Sequence, residues 1–291
     1  MTPFDKSLFR AGFAFGAPLI VQELAGIVLD SGDRALVRIY LGGDALGFYS
    51  VSYGLASNVN TLLYAPLGLA ILPIYMRLWN SEGRAKTIEF LSIGLDGFLM
   101  AAAGLFALSV VASRDLVIVM ASPKYRGAEA LIPTLVAGML IYTTQIFLNA
   151  GLLLQKKTMT MAMVLSASAI LNIILNCLLL PRIGLQAAAL ATLVSYLFCT
   201  LWLGHLAFKA LPLKLEVRPM LGYAVAALAA CIAGTMTEFS LPILNLLVKP
   251  TVAAIVYCAV LYMLDRRIRD VAARLWRSFL HRSEVTSVPA G

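Results

Sequence analysis

Four stretches of this chain run well beyond twenty residues without a charged side chain: Ala45 to Met76, Ala130 to Gln155, Thr158 to Pro181 and Ile183 to Phe208. Because an α-helix rises about 1.5 Å per residue, about 20 apolar residues suffice to cross the hydrocarbon of a bilayer. Pro219 to Thr237 adds a fifth charge-free stretch, of about the minimum length. Three more fit with one tolerated charge or a charged boundary: Gly12 to about Ser31, Ile88 to Val111 with Asp96 inside, and about Leu246 to Leu264 beside Lys249. A soluble domain could bury part of this surface but would need a charged exterior. Here 60% of residues are hydrophobic and only 13% are charged, against roughly 25% charged in soluble domains. Lipid is therefore the solvent, and the expected fold class is an all-α integral membrane protein of about eight transmembrane helices.

No soluble domain or linker interrupts these spans. Residues 1–208 hold six spans and residues 209–264 two more, while 265–291 form a basic tail. The tail places Ile268, Val271, Leu275 and Phe279 near helical spacing between arginines, the pattern of a partly amphipathic interfacial segment, and its last ten residues read as disordered. The basic start, Lys6 and Arg10, precedes a run that keeps Glu23 and Asp30 and has no small-residue cleavage pattern, which predicts a retained first span.

Eight spans put both termini on one side. The segments on that side, including Arg77, Arg84, Lys86, Lys156, Lys157, Lys214 and the tail, carry sixteen of the Lys and Arg residues, and the other side carries seven. The positive-inside rule then makes both termini cytoplasmic. The net charge of +8 sits at membrane boundaries rather than on one continuous face, so an anionic leaflet is the expected partner and nucleic acid is not. Cys177, Cys199, Cys231 and Cys258 lie singly in apolar runs, and His205 and His281 are the only histidines. Metal, redox and triad chemistry lack raw material, so neither a metal nor a cofactor is expected.

Polar residues within the spans are the functional candidates, because ionisable groups in hydrocarbon cost about 2.5–3.5 kcal/mol on insertion scales. Continued as one helix past Ser31, the first span places Glu23, Asp30, Arg34 and Arg38 on a single face, with Asp30 and Arg34 in reach of each other. The competing reading puts Asp33, Arg34 and Arg38 in headgroups and water. The second span repeats Tyr49, Tyr53, Ser57, Asn60 and Tyr64 at intervals of three or four, and its Pro66 and Pro73 predict kinks. Gln145 with Asn149, and Asn172 with Asn176, are expected to hydrogen-bond between helices. Asp96 stands as an isolated carboxylate, open to an ion or to an arginine. Residues 115–129, with SPKYRG, read as an outer loop.

The run SGDRALVRIYLGGDALGFYSVSYGLAS followed by PLGLAILPIYMRLW resembles bacterial polysaccharide transporters, the Wzx-type O-antigen flippases of the multidrug/oligosaccharidyl-lipid/polysaccharide exporter superfamily. LNIILNCLLLPRIGLQAAALATLVSY and MASPKYRGA are similar to later segments of the same family. The resemblance spans about residues 10–264 and corresponds to the C-terminal half of such proteins: one six-helix bundle plus two extra helices. It implies a transporter rather than an enzyme, moving a polyprenyl-diphosphate-linked oligosaccharide across the bacterial inner membrane for O-antigen or exopolysaccharide export. Implied partners are that substrate, membrane lipids, polysaccharide synthesis machinery, and a second bundle supplied by another copy or a separate N-terminal half. On this reading Arg34 and Arg38 are the candidate diphosphate contacts. Tyr49, Tyr53, Asn58 and Asn60 are the candidate cavity and glycan contacts, and Glu23, Asp30 and Asp96 the candidates for ion coupling. The family often carries Tyr-Arg-Leu-Ala where this chain has Tyr53, Gly54, Leu55 and Ala56, which shifts weight for the diphosphate onto Arg34 and Arg38. A non-transporting membrane component or truncated remnant, and an exporter of drugs or peptidoglycan precursor, remain open on the sequence.

Overall fold

The computed structural model describes residues 6–270, so the amphipathic reading of the tail beyond Asp270 and the disorder expected at its end lie outside the described residues. The elements are α1 (Lys6–Ser81), α2 (Arg84–Met120), two short 3-10 turns (Pro123–Tyr125 and Ala128–Ala130), α3 (Ile132–Thr143), α4 (Gln145–Leu154), α5 (Thr158–Ile183), α6 (Gln186–Ala210), α7 (Val217–Thr235) and α8 (Pro242–Leu264). Among the described residues, seven helical stretches are long and apolar enough to cross a membrane. The first of them holds two crossings. Within α1 the backbone leaves helical torsions at Gly42, with φ 88° and ψ −176°, a region essentially reserved for glycine. The arms on either side, residues 6–41 and 43–81, fold back alongside each other: Tyr49 reaches Asp33 and Tyr53 reaches Asp30. The break thus falls at Gly42, while Pro66 and Pro73, where the sequence predicts kinks, lie inside helix.

Lipid tails are as apolar as leucine, so close packing and polar contacts, rather than escape from water, must hold such helices together. The alanine run of α6 shows how. Ala187, Ala188, Ala189 and Ala191 are fully buried, and a Cβ on Gly138 of α3 would sit 3.2 Å from the Cα of Leu193. Gly94 of α2 leaves room for the Phe147 ring, where a Cβ would come within 2.8 Å. One hydrophobic cluster joins α1 through α6, with Leu91, Ile132, Leu135, Phe147, Leu180 and Leu203 among its buried members. A second cluster packs Ala107 and Val111 of α2 against Tyr223, Ala226 and Ala230 of α7 and Ala253, Tyr257 and Leu261 of α8. The last two helices therefore lean on α2. Gly104 and Gly234 make this contact possible, since a Cβ at either would fall within 3.0 Å of Tyr257 or Val111.

Two boundaries differ from the sequence reading. Asp115 is expected to open an outer loop, but α2 continues to Met120 and Asp115 is buried. The cause is Lys249 of α8, whose Nζ lies 3.1 Å from the Asp115 carboxylate and supplies the partner a buried charge requires. Helix α8 correspondingly begins at Pro242, earlier than expected. The segment between α2 and α3 is tied down rather than loose: Tyr125 packs edge-on against Phe48 at 5.5 Å, and Ser52 donates to the Ala128 carbonyl.

Candidate functional site

The hairpin of α1 sets its two arms against α3 and α4, and the seam between them is polar. Two adjoining cavities run along it. One, of about 350 Å³, is lined by Glu23, Asp30, Tyr53, Ser57, Asn60, Tyr64, Tyr142 and Thr143. Its neighbour, of about 400 Å³, shares Glu23, Tyr64, Tyr142 and Thr143 and adds Gln22, Tyr75, Gln145 and Asn149. These volumes match small-molecule sites, and the shared residues make the two a single groove. Its polar stripe follows from helix periodicity: Tyr53, Ser57, Asn60 and Tyr64 recur every three or four residues and so share a face.

Hydrogen bonds order the groove. Thr143 Oγ1 donates to Asn60 Oδ1 at 3.1 Å, linking α3 to the second arm. Tyr142 stacks on Tyr196 with centroids 4.6 Å apart. Gln145 Nε2 reaches Cys199 Sγ at 3.2 Å, as the expected pairing between helices requires. At the groove's end Tyr53 donates to Asp30, and the Arg34 guanidinium lies 4.4 Å over the Tyr53 ring. Arg34 and Asp30 therefore do not pair directly; the tyrosine stands between them. The Arg34 Nε–H is buried and has no hydrogen-bond partner among the described residues, as are Gln22 Oε1 and Asn149 Oδ1.

Behind the groove lies a constellation that the sequence reading missed. Asp33, which one reading placed in headgroups and water, is fully buried. Tyr49 Oη donates to its Oδ2 at 2.9 Å and Asn176 Nδ2 to its Oδ1 at 2.7 Å, while Thr192 Oγ1 donates to Oδ2. Asn176 also bonds to Asn172 one turn away, and its own Oδ1 is buried without a partner among the described residues. One carboxylate thereby ties both arms of α1 to α5 and α6. All three partners direct hydrogen-bond donors at the carboxylate. Among the described residues no group of three or more His, Cys, Asp or Glu comes together. The sequence signal was present in the pair Asn172 and Asn176, a buried amide face in search of a charge.

The candidate residues thus separate. Glu23, Asp30, Tyr53 and Asn60 line the groove, and Arg34 borders it through Tyr53. Tyr49 belongs instead to the Asp33 constellation. Asn58 and Arg38 are exposed and do not line the groove. Asp96 lies elsewhere, accepting from Tyr223 Oη at 3.1 Å and pairing with Arg267 at 3.5 Å.

Residues 1–130 match a family model described as polysaccharide biosynthesis protein. Among solved structures, the chain is similar to one titled Lipid II flippase MurJ, inward closed conformation, with a TM-score of 0.66 and 16% identity over 94% of this chain and 57% of that one. None of the curated proteins matches. The chain shares the fold of that structure and spans a little over half its length, and the family match over residues 1–130 agrees with the resemblance to a polysaccharide family.

Proposed function

We propose that the chain is a flippase, or one bundle of a flippase, for an oligosaccharide carried on a polyprenyl diphosphate. The observation that carries this reading is the groove: hydroxyls, amides and two carboxylates open along a helical hairpin in a chain otherwise built for lipid. A glycan crossing hydrocarbon needs hydrogen-bonding groups to replace water, and a diphosphate needs cations. The tyrosines, Asn60, Gln145 and Asn149 suit the first need. Arg34 suits the second, because its unpartnered Nε–H gains a charge-assisted bond when an anion arrives. Arg38, one turn further along α1, is the second diphosphate candidate. The polysaccharide biosynthesis family match and the likeness to a lipid II flippase support the same class of cargo.

Transport of this kind runs by alternating access, in which one bundle moves against another around a central site. A second bundle, from another copy or a separate half, would close the groove from the α1 side. Asp33 is the suggested coupling group, with Glu23 and Asp30 in the groove beside it. While ionised it draws Tyr49, Asn176 and Thr192 together, and a proton or cation arriving there changes which helix positions are favoured. The distribution of Lys and Arg supports an inner-membrane orientation with both termini cytoplasmic.

The test is complementation. The chain is expressed in a bacterium lacking its polysaccharide flippase, alone and with a partner bundle, and surface polysaccharide is assayed beside an Arg34→Ala variant of equal membrane abundance. Restoration that Arg34→Ala abolishes supports the reading. If neither form restores polysaccharide, or if Arg34→Ala restores it fully, the flippase reading or its diphosphate contact fails.

A further inference from the structure

Another cavity lies away from the groove. It measures about 600 Å³ and opens on the exposed face of the bundle between the start of α7 and the end of α8, lined by Arg218, Leu221, Val225, Leu261, Leu264 and Arg266 together with Gly222 and Tyr223. Leu221, Val225 and Leu264 are each more than half exposed, so the cleft faces the surrounding lipid rather than the bundle interior. Its chemistry is layered along the helix axes. Arg218 lies one turn before Leu221 and Arg266 just beyond Leu264, so cations flank the rim and aliphatic side chains line the wall that runs into the membrane.

Two acidic residues, Glu216 and Asp265, share the rim. Arg267 bridges Glu216 and Asp96, and Asp265 accepts the backbone N–H of Arg267 at 2.9 Å. Arg218 and Arg266 are exposed and have no ion-pair partner among the described residues. The lining thus carries three arginines, Arg218, Arg266 and Arg267, against Glu216 and Asp265, an excess of positive charge above an apolar wall.

The geometry points to a binding site for one anionic phospholipid, its phosphate held by Arg218 and Arg266 and its acyl chain laid along Leu221, Val225 and Leu264. Charge complementarity selects an anionic headgroup over a zwitterionic one, whose own ammonium would face the same two arginines. This inference stands apart from the transport reading, because the cleft shares no residue with the groove.

Native mass spectrometry of the full chain in detergent tests it, with phosphatidylglycerol and phosphatidylethanolamine as probes. The expected result is retention of one phosphatidylglycerol in preference to phosphatidylethanolamine. Arg218→Gln and Arg266→Gln should each weaken that retention about fivefold, the effect of one interfacial cation, while Arg218→Lys keeps most of it. Arg77→Gln, at another basic boundary, should leave retention unchanged and controls for general charge loss. Equal retention of the two lipids, or retention indifferent to both glutamine variants, overturns the site. Displacement of phosphatidylglycerol by inorganic phosphate at equal concentration shows a free-anion site and also overturns it. Stoichiometric displacement by a polyprenyl diphosphate assigns the cleft to cargo instead.

Discussion

The guanidinium carbon of Arg34 lies 4.4 Å from the centre of the Tyr53 ring, and the hydroxyl of that ring donates to Asp30. Tyr53 so couples a cation and an anion that helical spacing alone would pair, and it leaves the Arg34 Nε–H free for an incoming anion. Removing only the hydroxyl should separate these roles. Tyr53→Phe keeps the ring under Arg34 but frees Asp30, with an expected loss of about 1.5–3 kcal/mol for a hydrogen bond to a charged group. Arg34→Ala should leave stability within about 1 kcal/mol yet abolish polysaccharide export. Thermal unfolding in detergent beside the export assay checks the split, and equal export losses without any stability difference would contradict it.

Asp33 should be the most sensitive single position. Asp33→Ala strands Tyr49, Thr192 and Asn176, three groups that currently bond to one buried carboxylate. Each unmet buried partner costs about 1–3 kcal/mol, so the variant should be severely destabilised. Asp33→Asn retains a carbonyl oxygen for these donors and should fold, while losing any response to a coupling ion. The measurement is unfolding temperature against external pH and monovalent salt for the wild type and Asp33→Asn. A response that survives in Asp33→Asn would remove this residue from coupling.

The hairpin of α1 depends on one backbone conformation. Gly42 has φ 88° and ψ −176°, where a Cβ costs about 1–3 kcal/mol even with open space around it. Gly42→Ala should lower stability by that amount. Gly43→Ala, with a negative φ and no Cβ contact within 4 Å, should cost about 1 kcal/mol or less. Equal effects at the two glycines, measured by thermal unfolding, would show that the turn does not rely on the left-handed half of the map.

How much of this was legible in the sequence depends on how local each cause is. The crossings were readable because bilayer thickness fixes the length of an apolar helix, and Ala45 to Met76 or Thr158 to Pro181 satisfy it within one segment. The polar stripe of Tyr53, Ser57, Asn60 and Tyr64 was readable because a helix repeats within a few residues. Asp33 was not, since its donors Asn176 and Thr192 lie 143 and 159 residues away, and nothing beside Asp33 distinguishes a buried carboxylate from one at a helix end. The same ambiguity made Asp115 read as loop. A turn between Ser31 and Ala45 was readable from the two apolar runs, but not its seat at Gly42, which acts through a torsion that only the folded chain displays.

Asp115 and Lys249 offer the sharpest test of how α8 is held. Their side chains are only 5% and 10% exposed, and the pair joins α2 to α8 at 3.1 Å. Breaking a buried pair by removing one partner leaves a charge without compensation and costs about 3–5 kcal/mol, whereas replacing both by apolar residues is often neutral or better. Lys249→Met should accordingly destabilise the protein by that amount, and Asp115→Leu with Lys249→Met should recover most of it. The nearby Arg114 and Glu238 pair is a built-in contrast: it is 3.8 Å apart with both side chains more than half exposed, so Glu238→Gln should change stability by no more than about 1 kcal/mol. Unfolding of all four forms in one detergent makes the comparison. If Lys249→Met behaves like Glu238→Gln, water reaches Asp115, and α8 is held to α2 by the packing of Ala253, Tyr257 and Leu261 alone.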